Sequence, residues 1–241
     1  MAEKFPNRKP FDLARMCERA SVPSGNYDFS ELLPEADSQL DGFAMDVYPV
    51  TVARYEDFID QGGYFSPEFW SPDGWSWRVD NNIMAPRFWE DPDWQHLRDP
   101  VDRPVVGASW YEADAFCRYV GGVLPSEKQW EAAARGAKGW RYPWGNDWRE
   151  QVVGNRGIGP KISWQVGYWP ESVGPYGHQD LVANVWQWTS DPWPIKQKET
   201  LMVVRGGSWA SREEMCRTSI RNGYEPQGQW SHVGFRVIYP L

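Results

Sequence analysis

The side chains best suited to redox or metal chemistry in this chain are three cysteines and three histidines, namely Cys17, Cys117, Cys216, His96, His178 and His232. The cysteines are odd in number and widely spaced, which fits neither a disulfide framework nor a structural zinc site. No two histidines have the i, i+4 spacing that would put them on one helix face. A 2-His-1-carboxylate iron site would therefore need distant segments to converge.

Nucleophilic chemistry would have to come from a serine or a cysteine. A Ser-His-Asp arrangement that includes Ser211 and His232 stays open, although no Gly-x-Ser-x-Gly elbow supports it. Cys117 falls on the apolar face of a predicted helix, where a cysteine usually acts as a small core residue. Cys216 stands alone among apolar residues, a setting typical of buried and unreactive thiols. The sequence therefore predicts no cysteine nucleophile.

Three helices have clear start signals. Thr51 is a natural N-cap for the first of them. Ser109 with Glu112, and Ser126 with Gln129, form capping boxes for the other two. Glycine follows each apolar pattern and predicts where each helix ends. These helices, together with short strands and many turn residues, predict an α+β fold.

The remaining segments are less regular. Residues 1–20 are predicted to form an N-terminal leader helix, and residues 21–241 a single domain. Within that domain, residues 21–30 are predicted to be the first strand. Residues 64–104 show no sustained period and are predicted to form a long ordered loop. Five tryptophans argue against disorder there, namely Trp70, Trp75, Trp77, Trp89 and Trp94.

Composition excludes several classes of protein. The chain has 241 residues, with 17 tryptophans, 22 glycines and 20 prolines, which favours a loop-rich fold packed through aromatic rings. The net charge of −8 argues against binding to nucleic acid. No apolar run is long enough to span a membrane. No secretory signal is visible, so a cytoplasmic location is expected.

Five segments together resemble the formylglycine-generating-enzyme (sulfatase-modifying factor) family: Ser109–Gly136, Ala183–Asp191, Arg205–Trp209 (RGGSW), Cys216–Asn222 and Val233–Ile238. The resemblance implies a C-type-lectin-like fold. Such a fold has short twisted antiparallel strands, two to three helices and much irregular loop.

The resemblance also implies where redox metals would bind. Sulfatase-activating members bind copper with two cysteines after the Gly-Gly-Ser, and those slots fall here on Ser211 and Cys216. A serine hydroxyl is a poor ligand for Cu(I). The tryptophan-rich segment resembles an insert of the ergothioneine- and ovothiol-pathway sulfoxide synthases. Their iron-binding histidines come from a preceding helical domain, which is not expected here.

Calcium is the other metal that the resemblance suggests. Family members bind it near a Gly-Asn-Val-Trp-Glu-Trp segment. In this chain Gln187 replaces the glutamate, so affinity is expected to fall. Asn184 is left as a weak calcium candidate, to which Asp191 could contribute unless it caps a turn. No other cofactor is expected.

The C-terminal segment also resembles the variable proteins of diversity-generating retroelements, which display a binding face between RGGSW and a closing GFR. The positions that this resemblance assigns to such a face are Ala210, Ser211, Glu213, Glu214, Thr218, Ile220, Asn222, Tyr224, Gln227, Gln229, Trp230 and His232. Their mixture of aromatic, amide and charged side chains is typical of a recognition surface. Arg217 and Arg221 are expected to be framework residues.

Three functions follow as hypotheses. The first is a non-catalytic protein that binds a protein or small-molecule ligand at its C-terminal face. The second is a metal-dependent oxidative enzyme related to the sulfoxide synthases or to formylglycine-generating enzyme. The third is a non-catalytic paralogue that regulates a related enzyme by pairing with it. A face covered by the tryptophan-rich segment would favour a small molecule, and an uncovered face a protein.

Overall fold

The structure, a computed structural model, describes residues 12–29, 31, 38–149, 153, 156, 161–194 and 200–241. Its α-helices are α1 (Leu13–Met16), α2 (Val52–Asp60), α3 (Pro72–Asp80), α4 (Trp110–Tyr119) and α5 (Glu127–Arg135). Its strands are β1 (Arg19–Val22), β2 (Gly25–Asn26), β3 (Gln39–Leu40), β4 (Phe43–Asp46), β5 (Trp186–Pro192), β6 (Met202–Arg205), β7 (Arg221–Tyr224), β8 (Val233–Gly234) and β9 (Ile238–Pro240). This mixture confirms the predicted α+β class. None of the described helices is long and apolar enough to cross a membrane.

The longer strands form two sheets. One has the order β1-β4-β9 and is antiparallel throughout, so the last strand pairs with the fourth. The other has the order β7-β6-β5-β8, in which only the β5–β8 pair is parallel. β2 and β3 form a separate antiparallel pair. Three strands of the second sheet, β6, β7 and β8, come from the C-terminal part of the chain, between residues 202 and 234.

An aromatic core joins α2 and α4 to the four-stranded sheet. The Tyr55 ring lies 5.5 Å from Phe58, 5.4 Å from Phe116 and 6.2 Å from Phe235. All four rings are fully buried. Burial of each large apolar side chain contributes roughly 1.5–3 kcal/mol, so this core is a principal source of stability. Cys117 is buried in the same core, which confirms its predicted packing role.

The predicted helix caps are confirmed. The Thr51 hydroxyl accepts a hydrogen bond from the Arg54 amide at 3.4 Å. Both capping boxes form. Each serine hydroxyl accepts a hydrogen bond from the backbone amide three residues later, and the side chain of that later residue accepts one from the serine amide. These bonds satisfy amides that the first helical turn leaves unpaired.

The tryptophan-rich segment differs from the prediction of one long loop. It contains α3 and three short 3-10 helices at Gly63–Phe65, Pro67–Phe69 and Pro92–Leu97. Ser71 begins α3 by accepting from the Gly74 amide at 3.2 Å, and proline occupies the first helical position. The helix was missed because its sequence has no apolar period, while its cap and proline are local signals.

The N-terminal prediction is only partly matched by the described residues. Residues 1–11 lie outside them, and helix is present only in α1. Strand β1 then begins at Arg19, inside the range assigned to the leader, and ends before Pro23, which has no amide proton to donate. Met16 is buried, and its carbonyl oxygen accepts from Arg54 at 3.2 Å. The helix is thus packed against the body of the protein.

Buried ion pairs attach α5 to the second sheet. Arg205 donates to Glu127 at 2.6 Å and to Glu131 at 2.7 Å, and all three side chains are buried. Arg221 contacts the same Glu127 carboxylate at 3.1 Å, as expected for a framework residue. Because a buried carboxylate is costly without a partner, these arginines fix the position of α5 over β6 and β7.

Candidate functional site

An aromatic cluster on the C-terminal segment is the candidate site. Tyr224, at the end of β7, lies with its hydroxyl 3.1 Å from His232 Nε2. The Tyr224 ring is 5.4 Å from the Trp230 ring and meets the buried Trp188 ring edge-on at 6.2 Å. Tyr224, Trp230 and His232 are all partly exposed. The cluster therefore offers apolar area and hydrogen-bonding groups to solvent at one place.

Strand pairing determines which side chains share this surface. In β7, Tyr224 is paired with Met202 of β6, and Asn222 is paired with Val204. Alternation along a strand puts Asn222 and Tyr224 on the same side of the sheet. A hydrogen bond from Asn222 lowers the pKa of Tyr224, although burial, the larger effect, leaves it raised overall.

The segment after β7 is fixed against the start of α4. The Trp110 amide donates to the Pro226 carbonyl at 2.9 Å, and the Gly107 amide donates to the Trp230 carbonyl at 3.0 Å. The side chain of Gln229 reaches inward and donates to Glu112 Oε2 at 3.0 Å. The aromatic cluster thus rests on a segment with both backbone and side-chain anchors.

Electrostatics keep this cluster uncharged near neutral pH. Burial lowers the pKa of His232, so its ring is neutral. A neutral ring with its proton on Nδ1 can accept a hydrogen bond from the Tyr224 hydroxyl proton at Nε2. The pKa of Tyr224 is raised, so the phenol keeps that proton. The pair suits recognition through hydrogen bonds better than recognition through charge.

The structure separates the twelve predicted face residues into three groups. Partly exposed are Ile220, Asn222, Tyr224, Gln229, Trp230 and His232. Exposed are Ala210, Glu213, Glu214 and Gln227. Buried are Ser211 and Thr218. The Thr218 hydroxyl donates to the Trp140 carbonyl at 2.7 Å, so it faces the interior rather than a binding surface.

The two copper slots of the family do not fit copper in this chain. The Ser211 hydroxyl accepts from the Ser208 amide at 2.9 Å. Cys216 is buried, as predicted, and burial, reinforced by the charge of Glu213, raises its pKa to about 12. A protonated thiol and a hydrogen-bonded hydroxyl are both weak ligands for Cu(I).

The histidines are dispersed. His178 is fully buried, and burial together with the charge of Arg236 lowers its pKa to about 3. His96 is exposed and stacks on Trp94 at 5.8 Å. Within the described ranges, no group of three or more His, Cys, Asp and Glu side chains is placed to hold a metal ion.

The serine–histidine pairing left open by the sequence is not formed. Ser211 is bonded to Ser208, whereas His232 is bonded to Tyr224. The two side chains thus serve separate local structures, and within the described residues the Ser211 hydroxyl is bonded to Ser208 rather than to a base that would activate it.

Side chains at the calcium segment have protein partners. Asn184 Oδ1 accepts from the Trp164 amide at 2.8 Å. Gln187 Oε1 accepts from Trp130 at 2.8 Å. Asp191 accepts from the Glu127 amide at 2.5 Å, at the first residue of α5. A calcium ion would have to compete with these bonds, and of these three side chains only Asp191 could supply a charge.

One residue of the site was missed by the sequence reasoning. Glu112 was recognised only as half of a capping box, yet its carboxylate also binds Tyr64 and Gln229. These partners lie 48 and 117 positions away in the chain. The capping box was the only available signal, because contacts at such separations leave no local pattern.

Comparison with known proteins places the chain in a family. It is 33% identical over 223 residues to hercynine oxygenase of Mycolicibacterium smegmatis, covering 80% of this chain and 52% of that protein. It is 30% identical over 236 residues to mouse (Mus musculus) inactive C-alpha-formylglycine-generating enzyme 2, covering 80% and 74%. The chain thus spans about half the length of the hercynine oxygenase that it matches.

Solved structures agree on the fold. Treponema denticola variable protein 1 superposes with a TM-score of 0.66 at 17% identity, covering 92% of this chain and 95% of that one. At that identity the likeness shows the fold alone, and it confirms the predicted C-type-lectin-like architecture. The profile of the sulfatase-modifying factor enzyme 1-like domain matches residues 5–241. The chain therefore belongs to the sulfatase-modifying factor enzyme 1-like domain family.

Proposed function

We infer that this chain is a ligand-binding member of its family, and that the ligand binds at the C-terminal face, defined as Asn222, Tyr224, Gln229, Trp230 and His232. The observation that supports this most directly is the hydrogen-bonded Tyr224–His232 pair beside Trp230. Aromatic residues with a polar group at one end are enriched where proteins bind partners.

The arrangement of the tryptophan-rich segment favours a protein or peptide ligand. Its rings contact the body of the protein: Trp70 packs on Tyr64 at 5.5 Å, Trp89 on Tyr55 at 6.0 Å and Trp77 on Tyr111 at 5.5 Å. Ring contacts of Tyr224 are instead with Trp188, Trp230 and His232. We take the face to be open to solvent because Tyr224, Trp230 and His232 are partly exposed, and an open face is better suited to a peptide than to an enclosed small molecule.

Peptide selection would test this function. A displayed peptide library is selected on the wild-type protein, and the dissociation constants of the selected peptides are then measured for Trp230→Ala and for Val79→Ala. Val79 is exposed on α3, outside the face, and serves as the control. Removing a central aromatic residue is expected to weaken binding by roughly tenfold or more, with the control unchanged. Equal binding to all three proteins would show that the face is not the site.

A second candidate is supported by the 33% identity to hercynine oxygenase. In that case the chain contributes to an oxidative enzyme, and ligands for a redox metal come at least partly from outside the described residues. The purified protein is incubated with Cu(I), Fe(II) and Ca(II), desalted and measured by elemental mass spectrometry. Stoichiometric iron or copper that survives desalting would favour this candidate and argue against a purely binding role.

A further inference from the structure

Glu112 is a fully buried carboxylate whose hydrogen bonds extend from the core to the C-terminal face. Its Oε1 accepts from the Tyr64 hydroxyl at 2.6 Å. Its Oε2 accepts from the Ser109 amide at 2.7 Å and from Gln229 Nε2 at 3.0 Å. All three partners donate, which is the pattern of an ionised carboxylate.

The groups around this carboxylate are neutral. Its donors are a phenol, a backbone amide and a side-chain amide, and the titratable groups that face it are Tyr64 and, from α2, Tyr55. Burial, with the nearby charge of Glu112 next in effect, raises the pKa of both phenols well above the ordinary value, so they stay protonated. Burial also raises the pKa of Glu112 above its ordinary 4.5, against the opposing effect of its hydrogen bonds.

The network has a second proton arrangement that needs no large movement. The Tyr55 and Tyr64 hydroxyls are 3.0 Å apart, and either can be the donor. If Glu112 takes up a proton on Oε1, it can donate to Tyr64, which then donates to Tyr55. The bond from Gln229 then joins two neutral groups, and such bonds are about half as strong as charge-assisted ones.

We propose that Glu112 is a positioning residue that holds residues 225–230 of the C-terminal segment in place through Gln229, and that protonation of its carboxyl group loosens this hold. The consequence for ligand binding rests on the proposed function. The effect on the segment itself does not.

The test uses variants that keep the shape of the network. Glu112→Gln resembles the protonated acid, because its amide can donate to Tyr64 while its oxygen accepts from Ser109 and Gln229. Gln229→Met removes the donor and keeps the length of the side chain. Gln227→Met is the matched control, since Gln227 is exposed on the same segment.

The first readout needs no ligand. The Gln229 side-chain amide resonances, assigned through their loss in Gln229→Met, are followed by ¹⁵N NMR from pH 8 to pH 5, and amide exchange of residues 225–230 is measured by mass spectrometry. We expect the wild-type resonances to shift with pH and those of Glu112→Gln to stay constant. Exchange in the segment should be roughly threefold to tenfold faster in Glu112→Gln and Gln229→Met and unchanged in Gln227→Met. Resonances that titrate identically in wild type and Glu112→Gln, or unchanged exchange, would overturn the proposal.

The second readout separates this proposal from the proposed function. Peptides selected on the wild-type protein should bind Glu112→Gln roughly threefold to tenfold more weakly. The affinity of this variant should also lack the pH dependence that protonation of Glu112 gives the wild-type protein. Unaltered peptide affinity alongside faster exchange would leave the positioning role intact and remove its link to the face. Altered affinity alongside unchanged exchange would overturn the positioning role.

Discussion

Arg236 donates from Nε to Oε1 of Gln187 at 2.7 Å, and both side chains are fully buried. The same Gln187 oxygen accepts from Trp130, while its amide nitrogen donates to the Asp180 carbonyl at 2.8 Å. Burial lowers the pKa of Arg236 to about 10, and it is still charged at neutral pH. Gln187 therefore joins α5, β5 and the closing Gly-Phe-Arg segment through one side chain.

Gln187→Leu removes an acceptor shared by two buried donors. Because Arg236 and Trp130 would both lose a partner, we expect the free energy of unfolding to fall by roughly 3 kcal/mol or more. Urea denaturation followed by tryptophan fluorescence measures the change. Gln227→Leu, on an exposed position, is the control and should stay within about 0.5 kcal/mol of wild type. Equal stability of the two variants would show that the buried contacts are not needed.

His178→Gln should reduce the dependence of stability on pH. The pKa of His178 is about 3 in the folded protein and ordinarily 6.5. Below pH 6.5 the unfolded chain therefore binds a proton at His178 that the folded protein does not bind. Stability from this group is fully present above pH 6.5 and is lost as the pH falls toward 3, by about 1.4 kcal/mol per unit. Urea denaturation at pH 7.5, 6 and 5 should show that the free energy of unfolding declines less steeply with falling pH in the variant than in the wild type. Parallel declines would mean that His178 does not titrate in this way.

Thiol reactivity should distinguish the three cysteines. Cys17 is exposed, whereas Cys117 and Cys216 are buried, and burial raises the pKa of each buried thiol. Ellman's reagent should therefore react fast with one thiol per chain in the native protein and with all three thiols after denaturation. A second fast equivalent that disappears in Cys216→Ser would show that the family's remaining copper position is reactive.

Gly206→Ala should destabilise the fold strongly. Gly206 has φ of +95°, and a Cβ there would overlap the Leu181 carbonyl oxygen, a backbone atom. We expect a loss of roughly 2–4 kcal/mol, or failure to fold. Gly25→Ala is the matched control, because a Cβ on Gly25 meets nothing within 4 Å. Thermal unfolding of the two variants compares them directly, and similar midpoints would show that Gly206 is not needed for the fold.

The features predicted correctly from sequence are those with local causes. The caps at Thr51, Ser109 and Ser126 depend on residues at most three positions away, and all three form. The burial of Cys117 likewise follows from the apolar face of its own helix. Where the signal was local but aperiodic, as in α3, it was overlooked.

The features that were missed depend on contacts between distant segments. Thr218 was assigned to an exposed face, but its hydroxyl is bonded to the backbone at Trp140 and Arg141. The 3-10 helix Glu213–Cys216 lies within the segment that the resemblance assigned to the face. The bond between Glu112 and Gln229 likewise joins segments that no short pattern relates.

The pairing of β9 with β4 affects how the chain acquires its structure during synthesis. Met45 is opposite Ile238 and Phe43 is opposite Pro240, so this sheet stays incomplete until residues 238–240 have left the ribosome. Contacts at such sequence separation are expected to slow folding and leave β4 with an open edge in the nascent chain. Stalled or prematurely terminated translation products would expose that edge, and they are the forms in which this protein should be most prone to aggregate.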